Sequence, residues 1–223
     1  MTGAARGIGL AVCRAHLARG GTVVATCRGA LPDSLEALHQ RFDQRLRVLQ
    51  WDLSGPLPPT GSDRLGDLPV DVIFANAGVF GPRESSFRNP DYAGLLQAFD
   101  INALGFVRLV DTILPYMADA RHPRIAAVSS LMGTVPGAGP GSLGYRLSKA
   151  ALNMAVHVVA AELAPQKIAV AGLRPGWVRT AMGGPNGQIS PEQSAAGLLG
   201  VVDALAFTAH PQFLDLNGDI LPW

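Results

Sequence analysis

Short apolar runs alternate with helical segments along almost the whole chain, and this alternation limits the possible folds more than any other feature. The runs with the length and composition of buried strands are residues 22–27, 46–51, 71–75, 124–128, 168–173 and 213–215. Because strands that are separated by helices pair in parallel, the pattern predicts an α/β fold built on a doubly wound parallel sheet. No internal repeat or linker divides the 223 residues, so we expect residues 1–223 to form a single domain.

Helical patterns and loop compositions fill the intervals between the predicted strands. Helical patterns begin near residues 10, 33, 91, 145 and 191, and the pattern at 91–117 is the longest. Glycine, proline or serine is frequent in segments 54–66, 131–144 and 183–190. We expect these segments to be loops, the last of them short and flexible.

Composition and charge exclude several classes of protein. The chain is 48% hydrophobic with a net charge of +1, and this balance gives no reason to expect nucleic acid or an anionic membrane surface as a partner. No uninterrupted apolar run approaches the roughly 18 residues of a membrane span. Cys13 and Cys27 favour a reducing compartment over a disulfide framework, and the histidines lack a metal-ligand pattern. We therefore expect a soluble, cytoplasmic protein without a bound metal.

Glycines near the start of the chain precede the first helix. Gly3, Gly7 and Gly9 would let the backbone turn tightly and approach a bound group, while the N-terminus of the following helix points at that group. This arrangement suits the pyrophosphate of a dinucleotide. The alternative is a glycine-rich turn of the kind that precedes many helices.

The end of the strand at 22–27 bears on which dinucleotide would bind. An acidic residue near this point binds the ribose 2′-hydroxyl of NAD, whereas an arginine accommodates the 2′-phosphate of NADP. Here Arg28 follows the strand, no acidic residue occurs before Asp33, and Arg6 in the glycine loop supplies a second positive charge. The sequence therefore favours NADP over NAD, the alternative being that both arginines are only solvated.

Polar residues occur at the carboxyl ends of predicted strands, where ligands bind in open α/β sheets. Asn76 follows one strand, and Ser129 and Ser130 follow the next. Asn102 interrupts the apolar face of the long helix, so its amide is either satisfied by the fold or positioned for function. All four residues are candidates for contacts with a ligand.

Tyr145 and Lys149 lie four positions apart at the start of a helical pattern. On a helix this spacing places both side chains on one face, with Cβ atoms about 5–6 Å apart. An ammonium beside a phenol favours the phenolate, and we therefore expect the pKa of Tyr145 to fall below its usual value of about 10. Such a pair can pass a proton to or from a substrate oxygen, although the same spacing also occurs by chance on many helices.

Taken together, these residues resemble the motifs of the short-chain dehydrogenase/reductase family. The matching segments follow the family's order over nearly the whole chain: Thr2-Gly3-x-x-x-Gly7-Ile8-Gly9, Asp52-Leu53, Asn76-Ala77-Gly78, Asn102, Ser130, Tyr145-x-x-x-Lys149 and Pro175-Gly176-x-Val178-x-Thr180. Segments 78–83 and 216–223 look like the branch that contains sniffer-type carbonyl reductases and bacterial C-factor proteins. The resemblance implies a Rossmann-type domain with three αβα layers.

The resemblance also implies roles for individual residues. Tyr145 would be the proton donor and acceptor, and Ser130 would hold and polarise the substrate carbonyl. Lys149 would bind the nicotinamide ribose and lower the pKa of Tyr145, and Asn102 would hold a water that links Lys149 to solvent. Together with Arg28, the residues expected to bind the cofactor are Thr2, Gly3, Arg6, Gly7, Ile8, Gly9, Asp52, Leu53, Asn76, Ala77, Gly78, Tyr145, Lys149, Pro175, Gly176, Val178 and Thr180.

The activity implied by this resemblance is the NADPH-dependent reduction of an aldehyde or ketone to an alcohol by hydride transfer, on a small-molecule substrate. The alternative is an NAD(P)-binding signalling or interaction protein of the C-factor type with little or no turnover. The resemblance also implies a homodimer or homotetramer, formed through the apolar helices that carry Asn102 and Tyr145.

The chain departs from the family pattern in two places. The interval between Ser130 and Tyr145 is longer than usual, which leaves Ser129 as a second candidate for the serine's role. The family's first strand should precede Thr2, and here only Met1 does. We therefore expect a sheet that lacks about one strand, the central strand before Thr2, and we expect the native chain to start upstream of Met1.

Overall fold

Strands and helices alternate in the computed structural model, which describes residues 1–57, 65–66 and 68–223. The strands are β1 (Val23–Cys27), β2 (Leu46–Gln50), β3 (Val72–Ala75), β4 (Arg124–Val128), β5 (Ala169–Arg174), β6 (Gln212–Asp215) and β7 (Ile220–Leu221). Each strand predicted from the sequence is present, with ends that differ by at most one residue. The sequence did not predict β7, because two paired residues leave no alternating pattern. The predicted loop at 54–66 lies largely outside the described residues.

The strands form two ladders. β1 pairs with β2 in parallel, and β3 to β6 pair in parallel in sequence order, with β7 antiparallel to β6 at the edge. In the larger ladder, Arg124 of β4 lies between Val72 of β3 and Ala169 of β5. This order confirms the predicted α/β class and its mostly parallel, doubly wound sheet.

Helices cover both faces of the sheet. They are α1 (Gly7–Ala18), α2 (Asp33–Phe42), α3 (Tyr92–Phe99), α4 (Gly105–Ile113), α5 (Leu143–Leu163) and α6 (Pro191–Ala204). On one face α1, α2 and α6 bury Leu17, Leu35 and Leu198 completely. On the other face α4 and α5 pack around Phe106 and Val156. The result is the predicted three-layer αβα arrangement.

The longest helical stretch is interrupted in its middle. α3 and α4 are joined by a π turn, Asp100–Leu104, and α4 ends in a 3₁₀ turn, Leu114–Met117. A π turn adds one residue to a helical turn and is frequent at functional sites. Here it buries Asn102. The sequence predicted one regular helix over 91–117, because apolar periodicity does not reveal a single inserted residue.

Two helical stretches, Tyr92–Met117 and Leu143–Gln166, are long and apolar enough to cross a membrane by length and composition alone. In their most apolar windows 44% and 39% of the residues are buried within the protein. The core helices of soluble proteins meet the same criterion, and here α4 and α5 pack against the sheet. We interpret both stretches as core helices of a soluble protein.

The outer surfaces of the same helices carry exposed apolar side chains. These are Leu96, Phe99, Leu104, Val107, Leu147, Met154 and Val158. The predicted homodimer or homotetramer would cover this surface, and the oligomeric state stays a prediction.

Met1 and Thr2 connect the two ladders. The Met1 amino group donates a hydrogen bond to the Val24 carbonyl at 2.8 Å, and the Thr26 amide donates to the Met1 carbonyl at 2.9 Å. On the other side the Thr2 amide donates to the Phe74 carbonyl at 3.1 Å. Below these two residues β1 and β3 are separated by a cavity of about 460 Å³. That the native chain begins upstream of Met1 stays a prediction.

The Thr2 side chain strengthens this connection. Its hydroxyl accepts hydrogen bonds from the backbone amides of Asn76 and Ala77, each at 3.1 Å, and the residue is fully buried. The Asn76 side chain in turn donates to the Thr2 and Gly3 carbonyls at 3.1 and 3.2 Å. The end of β3 and the glycine loop are therefore held together by one hydroxyl and one amide.

Thr2→Val should lower the free energy of unfolding by about 2 kcal/mol, because the isosteric side chain leaves the partly buried amides of Asn76 and Ala77 without this acceptor. Thr2→Ser keeps the hydroxyl and is the matched control. Urea unfolding of both variants and the wild type measures the difference. Equal stabilities for Thr2→Val and Thr2→Ser would show that the hydroxyl does not hold this junction.

Candidate active site

Tyr145 and Lys149 lie one helical turn apart near the start of α5, at the carboxyl ends of the parallel strands. The Lys149 ammonium is 5.8 Å from the centre of the Tyr145 ring. Lys149 is buried, and its Nζ donates a hydrogen bond to the Val128 carbonyl at the end of β4, at 2.8 Å. Tyr145 and Lys149 therefore lie on one face of α5, as predicted, but the Lys149 ammonium donates its hydrogen bond to a carbonyl of the sheet.

Burial dominates the protonation of both groups. It raises the pKa of Tyr145 to about 12, although a hydrogen bond with Ser130 opposes this rise. Burial also lowers the pKa of Lys149 to about 8. The expected fall of the Tyr145 pKa below about 10 is wrong for this structure, because removal from water has the largest effect on it and raises it. Tyr145 is a protonated phenol near neutral pH, ready to donate.

The two serines after β4 have different partners. Ser130 is half-buried, hydrogen-bonds with Tyr145 and accepts a bond from the Met132 amide at 3.1 Å. Ser129 is buried, and its hydroxyl donates to the Asn153 side chain. Ser130 therefore lies beside Tyr145. Ser129 instead bonds to Asn153 of α5, whose amide donates to the Gly133 carbonyl in the loop after β4.

Asn102 is fully satisfied within the fold. Its side-chain oxygen accepts from the Val79 amide, and its nitrogen donates to the Val79 carbonyl and the Ser148 hydroxyl, each at 2.8 Å. Ser148 lies between Tyr145 and Lys149 in sequence, so the π turn fixes the chain after β3 against α5. The water that Asn102 would hold stays a prediction.

Gly78 lies directly over Lys149. A Cβ at this position would be 3.0 Å from the Asn102 side-chain oxygen and 3.6 Å from the Lys149 ammonium. Asn76, Ala77 and Gly78 follow β3 and adjoin the Thr2 junction, so the predicted residues of this segment lie between the glycine loop and the tyrosine.

The glycine loop has room only for glycine at its key positions. Gly3 and Gly7 have φ values of +64° and +54°, a region that L side chains rarely adopt. A Cβ on Gly9 would come within 2.1 Å of the Gly3 carbonyl oxygen. A Cβ on Gly7 would lie 3.2 Å from the Thr180 methyl group, so the glycine loop and the segment after β5 meet at this point.

Arg6, Arg28 and Asp52 line the outer part of this edge and are exposed. Hydrogen bonds from Ser54 lower the pKa of Asp52, and the nearby Arg28 guanidinium lowers it further. Arg28 and Asp52 are therefore neighbours after β1 and β2. The side chain of Leu53 is buried in the core, so its predicted contact with the cofactor would come from its backbone and stays a prediction.

Backbone bridges and a side-chain hydrogen bond connect parts of the segment after β5 that the sequence analysis did not link. Val178 bridges to Ile189, and Thr180 bridges to Gly184. The Trp177 indole donates to the Gly183 carbonyl at 2.8 Å. Segment 183–190 is a loop, as predicted, and glycine content alone does not reveal the bonds across it; its flexibility stays a prediction. Pro175 and Gly176 lie at the start of the same segment, where Gly176 has a φ of +80°.

Sequence reasoning missed an aromatic wall beside the tyrosine. The Phe80 ring stacks on the Tyr145 ring with centroids 4.7 Å apart and 9° between the planes. The Arg83 guanidinium lies 4.2 Å from the Phe80 ring centre and donates to the Met182 carbonyl at 2.8 Å. Both residues fall in segment 78–83, which the sequence analysis used only to recognise a family branch.

The described residues fit a nicotinamide dinucleotide. The glycine loop leaves no room for side chains, and the first amides of α1 face the same edge, which suits a diphosphate. Two exposed arginines flank this point, and the half-buried Tyr145 and the buried Lys149 lie beyond it. The amides and arginines at one end of the site therefore suit an anionic group, and the tyrosine and lysine at the other end suit proton transfer.

The lowered pKa of Lys149 predicts a specific pH dependence of stability. Between pH 8 and pH 10 the unfolded chain holds a proton on this amine that the folded chain has lost, so the free energy of unfolding rises with pH. From about pH 7.5 to about pH 10, the wild type should gain about 2 kcal/mol relative to Lys149→Met. Urea unfolding at both pH values measures this gain.

Lys167→Met, which removes an exposed lysine, is the matched control. If Lys149→Met shows the same dependence on pH as the wild type, the amine does not titrate in the folded chain as described.

Comparison with known proteins gives matches over most of the chain. A family model described as short chain dehydrogenase matches residues 1–189. The C-signal protein of Myxococcus xanthus is 40% identical over 156 residues, which cover 70% of this chain and 93% of that protein.

Solved structures resemble the whole chain. A short-chain dehydrogenase/reductase from Burkholderia multivorans with bound NADP is 31% identical, with a TM-score of 0.91, over 100% of this chain and 97% of that chain. The carbonyl reductase Sniffer of Drosophila melanogaster is 27% identical, with a TM-score of 0.89 and the same coverage. The NADP in the first of these structures agrees with the NADP(H) predicted from the sequence.

Proposed function

We propose that this chain, which belongs to the short-chain dehydrogenase family, is an NADPH-dependent carbonyl reductase that converts an aldehyde or ketone to an alcohol. One observation carries the proposal: the half-buried Tyr145 hydrogen-bonds with Ser130 beside the buried Lys149, at the edge of the sheet that also carries the glycine loop. A protonated phenol and a seryl hydroxyl at one point suit an oxygen on which negative charge develops.

Tyr145 and Ser130 would share the substrate oxygen. Bound NADPH supplies the hydride to the carbonyl carbon. Ser130 would donate a hydrogen bond to the carbonyl oxygen, and Tyr145 would give that oxygen its proton. The raised pKa of Tyr145 keeps the proton available at neutral pH, and the Lys149 ammonium nearby would stabilise the phenolate that remains.

The remaining chain would hold the cofactor along the strand ends. Thr2, Gly3, Gly7, Ile8 and Gly9 would surround the diphosphate at the N-terminus of α1. Arg6 and Arg28 would bind the 2′-phosphate. The proposed contacts of adenine, riboses and carboxamide are Asp52, Leu53, Asn76, Ala77, Gly78, Tyr145, Lys149, Pro175, Gly176, Val178 and Thr180. Asn102 would act by positioning the chain after β3.

Aromatic side chains would line part of the substrate cleft. Phe80 covers one side of Tyr145, and the half-exposed Trp177 lies on the segment after β5. A cytoplasmic location follows from the same proposal, because NADPH is the cofactor and the buried Cys13 and Cys27 are free thiols.

Tyr145→Phe should reduce kcat by about 10²–10⁴-fold, because it removes the proton donor, while NADPH binding is retained with a rise in Kd far smaller than the loss in kcat. NADPH absorbance with a panel of aldehydes, ketones and quinones measures turnover, and fluorescence titration measures binding. Tyr92→Phe, which alters an exposed tyrosine, should leave both unchanged. Full activity of Tyr145→Phe would contradict the proposed role.

The similarity to C-signal supports a second candidate function, an NAD(P)-binding signalling or interaction protein. The same measurements separate the two. A wild-type chain that binds NADPH but turns over no compound of the panel would favour this second function, whereas turnover that depends on Tyr145 favours the reductase.

Arg28→Ala should raise the Kd for NADPH about tenfold or more, because it removes a charge-assisted contact to the 2′-phosphate, and should leave the Kd for NADH within about twofold. Arg121→Ala is the matched control, since Arg121 is exposed at the opposite, amino end of β4. Equal losses of both cofactors would mean that Arg28 does not distinguish the two.

A further inference from the structure

The Phe80 ring lies flat against the tyrosine of the candidate active site. Its plane is 9° from the plane of the Tyr145 ring, and the two ring centres are 4.7 Å apart. Because the Tyr145 ring covers it at this distance, that face of Phe80 is not free to stack on a substrate. The same contact removes part of the half-buried Tyr145 ring from water. Phe80 therefore acts on the tyrosine itself, in addition to lining the cleft.

The backbone on both sides of Phe80 is fixed. Val79 exchanges two hydrogen bonds with the Asn102 side chain, each 2.8 Å long. Gly81 has a φ of +73°, and a Cβ at this position would lie 3.1 Å from the Ala98 Cβ on α3. Only glycine adopts this conformation readily, so the turn after Phe80 can pack closely against α3. These contacts determine where the Phe80 side chain leaves the backbone.

The end of the same segment is held by α3 and by the segment after β5. A Cβ on Gly94 of α3 would come within 2.8 Å of the Pro82 ring, so the two residues are in close contact. The Arg83 guanidinium lies 4.2 Å from the Phe80 ring centre and donates to the Met182 carbonyl at 2.8 Å. A guanidinium is attracted to an aromatic face. Arg83 therefore connects the Phe80 ring to the opposite side of the cleft.

We call the Phe80 ring, the Arg83 guanidinium and the Met182 carbonyl the Phe80 clamp. A helix fixes the backbone of a tyrosine, but the direction and plane of its ring depend on neighbouring side chains. Ser130 holds the hydroxyl end of Tyr145 by a hydrogen bond, and the Phe80 clamp holds the ring. A proton donor must keep its oxygen within hydrogen-bond reach of the acceptor, so the plane of this ring bears directly on turnover.

We propose that Phe80 is a positioning residue for proton transfer, and that the Phe80 clamp fixes the plane of the Tyr145 ring and keeps water from one of its faces. The expected effect on turnover rests on the proposed reductase activity. The expected effect on the ionisation of Tyr145 does not, because it needs neither substrate nor cofactor.

Ionisation of Tyr145 provides the first test. In Phe80→Ala, water reaches the uncovered face of the ring, so the pKa of Tyr145 should fall from about 12 by about one unit. Near-ultraviolet absorbance after rapid pH jumps measures the phenolate before the chain unfolds. Subtraction of the same titration with Tyr145→Phe added isolates Tyr145 from the other two tyrosines.

The matched control for this titration is Phe87→Ala. Phe87 lies in the same loop and is 85% exposed, so its removal should leave the pKa of Tyr145 at about 12. An unchanged pKa in Phe80→Ala would overturn the proposal. A wild-type chain that turns over no carbonyl compound would instead count against the reductase alone, because the titration decides on the clamp without turnover.

Turnover provides the second test. Phe80→Leu keeps an apolar side chain but removes the flat ring, so kcat should fall about tenfold through misplacement of Tyr145. KM and the Kd for NADPH should stay within about threefold, because Phe80 acts through Tyr145. Phe80→Tyr keeps the ring and should retain most of the wild-type kcat. Wild-type kcat in Phe80→Leu, or an equal loss in Phe80→Tyr, would contradict the positioning role.

A double variant tests whether Arg83 acts through Phe80. Arg83→Met removes both the contact with the ring and the bond to Met182, and it should lower kcat about threefold. In a chain that already carries Phe80→Leu, Arg83→Met should lower kcat no further, because the ring that it holds is absent. Losses that multiply in the double variant would show that Arg83 is not part of the clamp.

Discussion

The two ladders of this protein are joined by two residues, Met1 and Thr2, and the position of the glycine loop depends on that junction. Backbone bonds to Val24, Thr26 and Phe74 fix the junction between β1 and β3. The Thr2 hydroxyl then orients the chain after β3. Because Asn76 also donates to the Thr2 and Gly3 carbonyls, these contacts hold the glycine loop beside the chain that follows β3.

Removal from water sets the chemistry at the other end of the site. Tyr145 and Lys149 are close neighbours, and burial favours the neutral form of each. It raises the pKa of Tyr145 and lowers the pKa of Lys149. A tyrosine with a pKa of about 12 is protonated near neutral pH and is a weak acid. Ser130 opposes this shift through its hydrogen bond, and Lys149 bonds to the Val128 carbonyl.

Local patterns predicted much of this molecule. The sequence predicts the strands, the glycine loop and the positions of Tyr145 and Lys149 on one helix face, because each of these features depends on residues close together in sequence. The features that were missed depend on distant contacts. Whether burial or the ammonium controls the pKa of Tyr145 depends on the whole fold around it. The bridges across 183–190 depend on Val178 and Thr180, and the π turn at Asn102 depends on the chain after β3.

The link between Arg83 and Met182 has a consequence for how such a protein diversifies. These residues come from opposite sides of the cleft and meet only through the Phe80 wall and one backbone carbonyl. Phe80 also stacks on the Tyr145 ring, whereas Arg83 and Met182 do not belong to the set of Tyr145, Lys149 and Asn102. Mutations of Arg83 or Met182 can therefore reshape the cleft with less direct effect on that set, whereas mutations of Phe80 also change the surroundings of Tyr145.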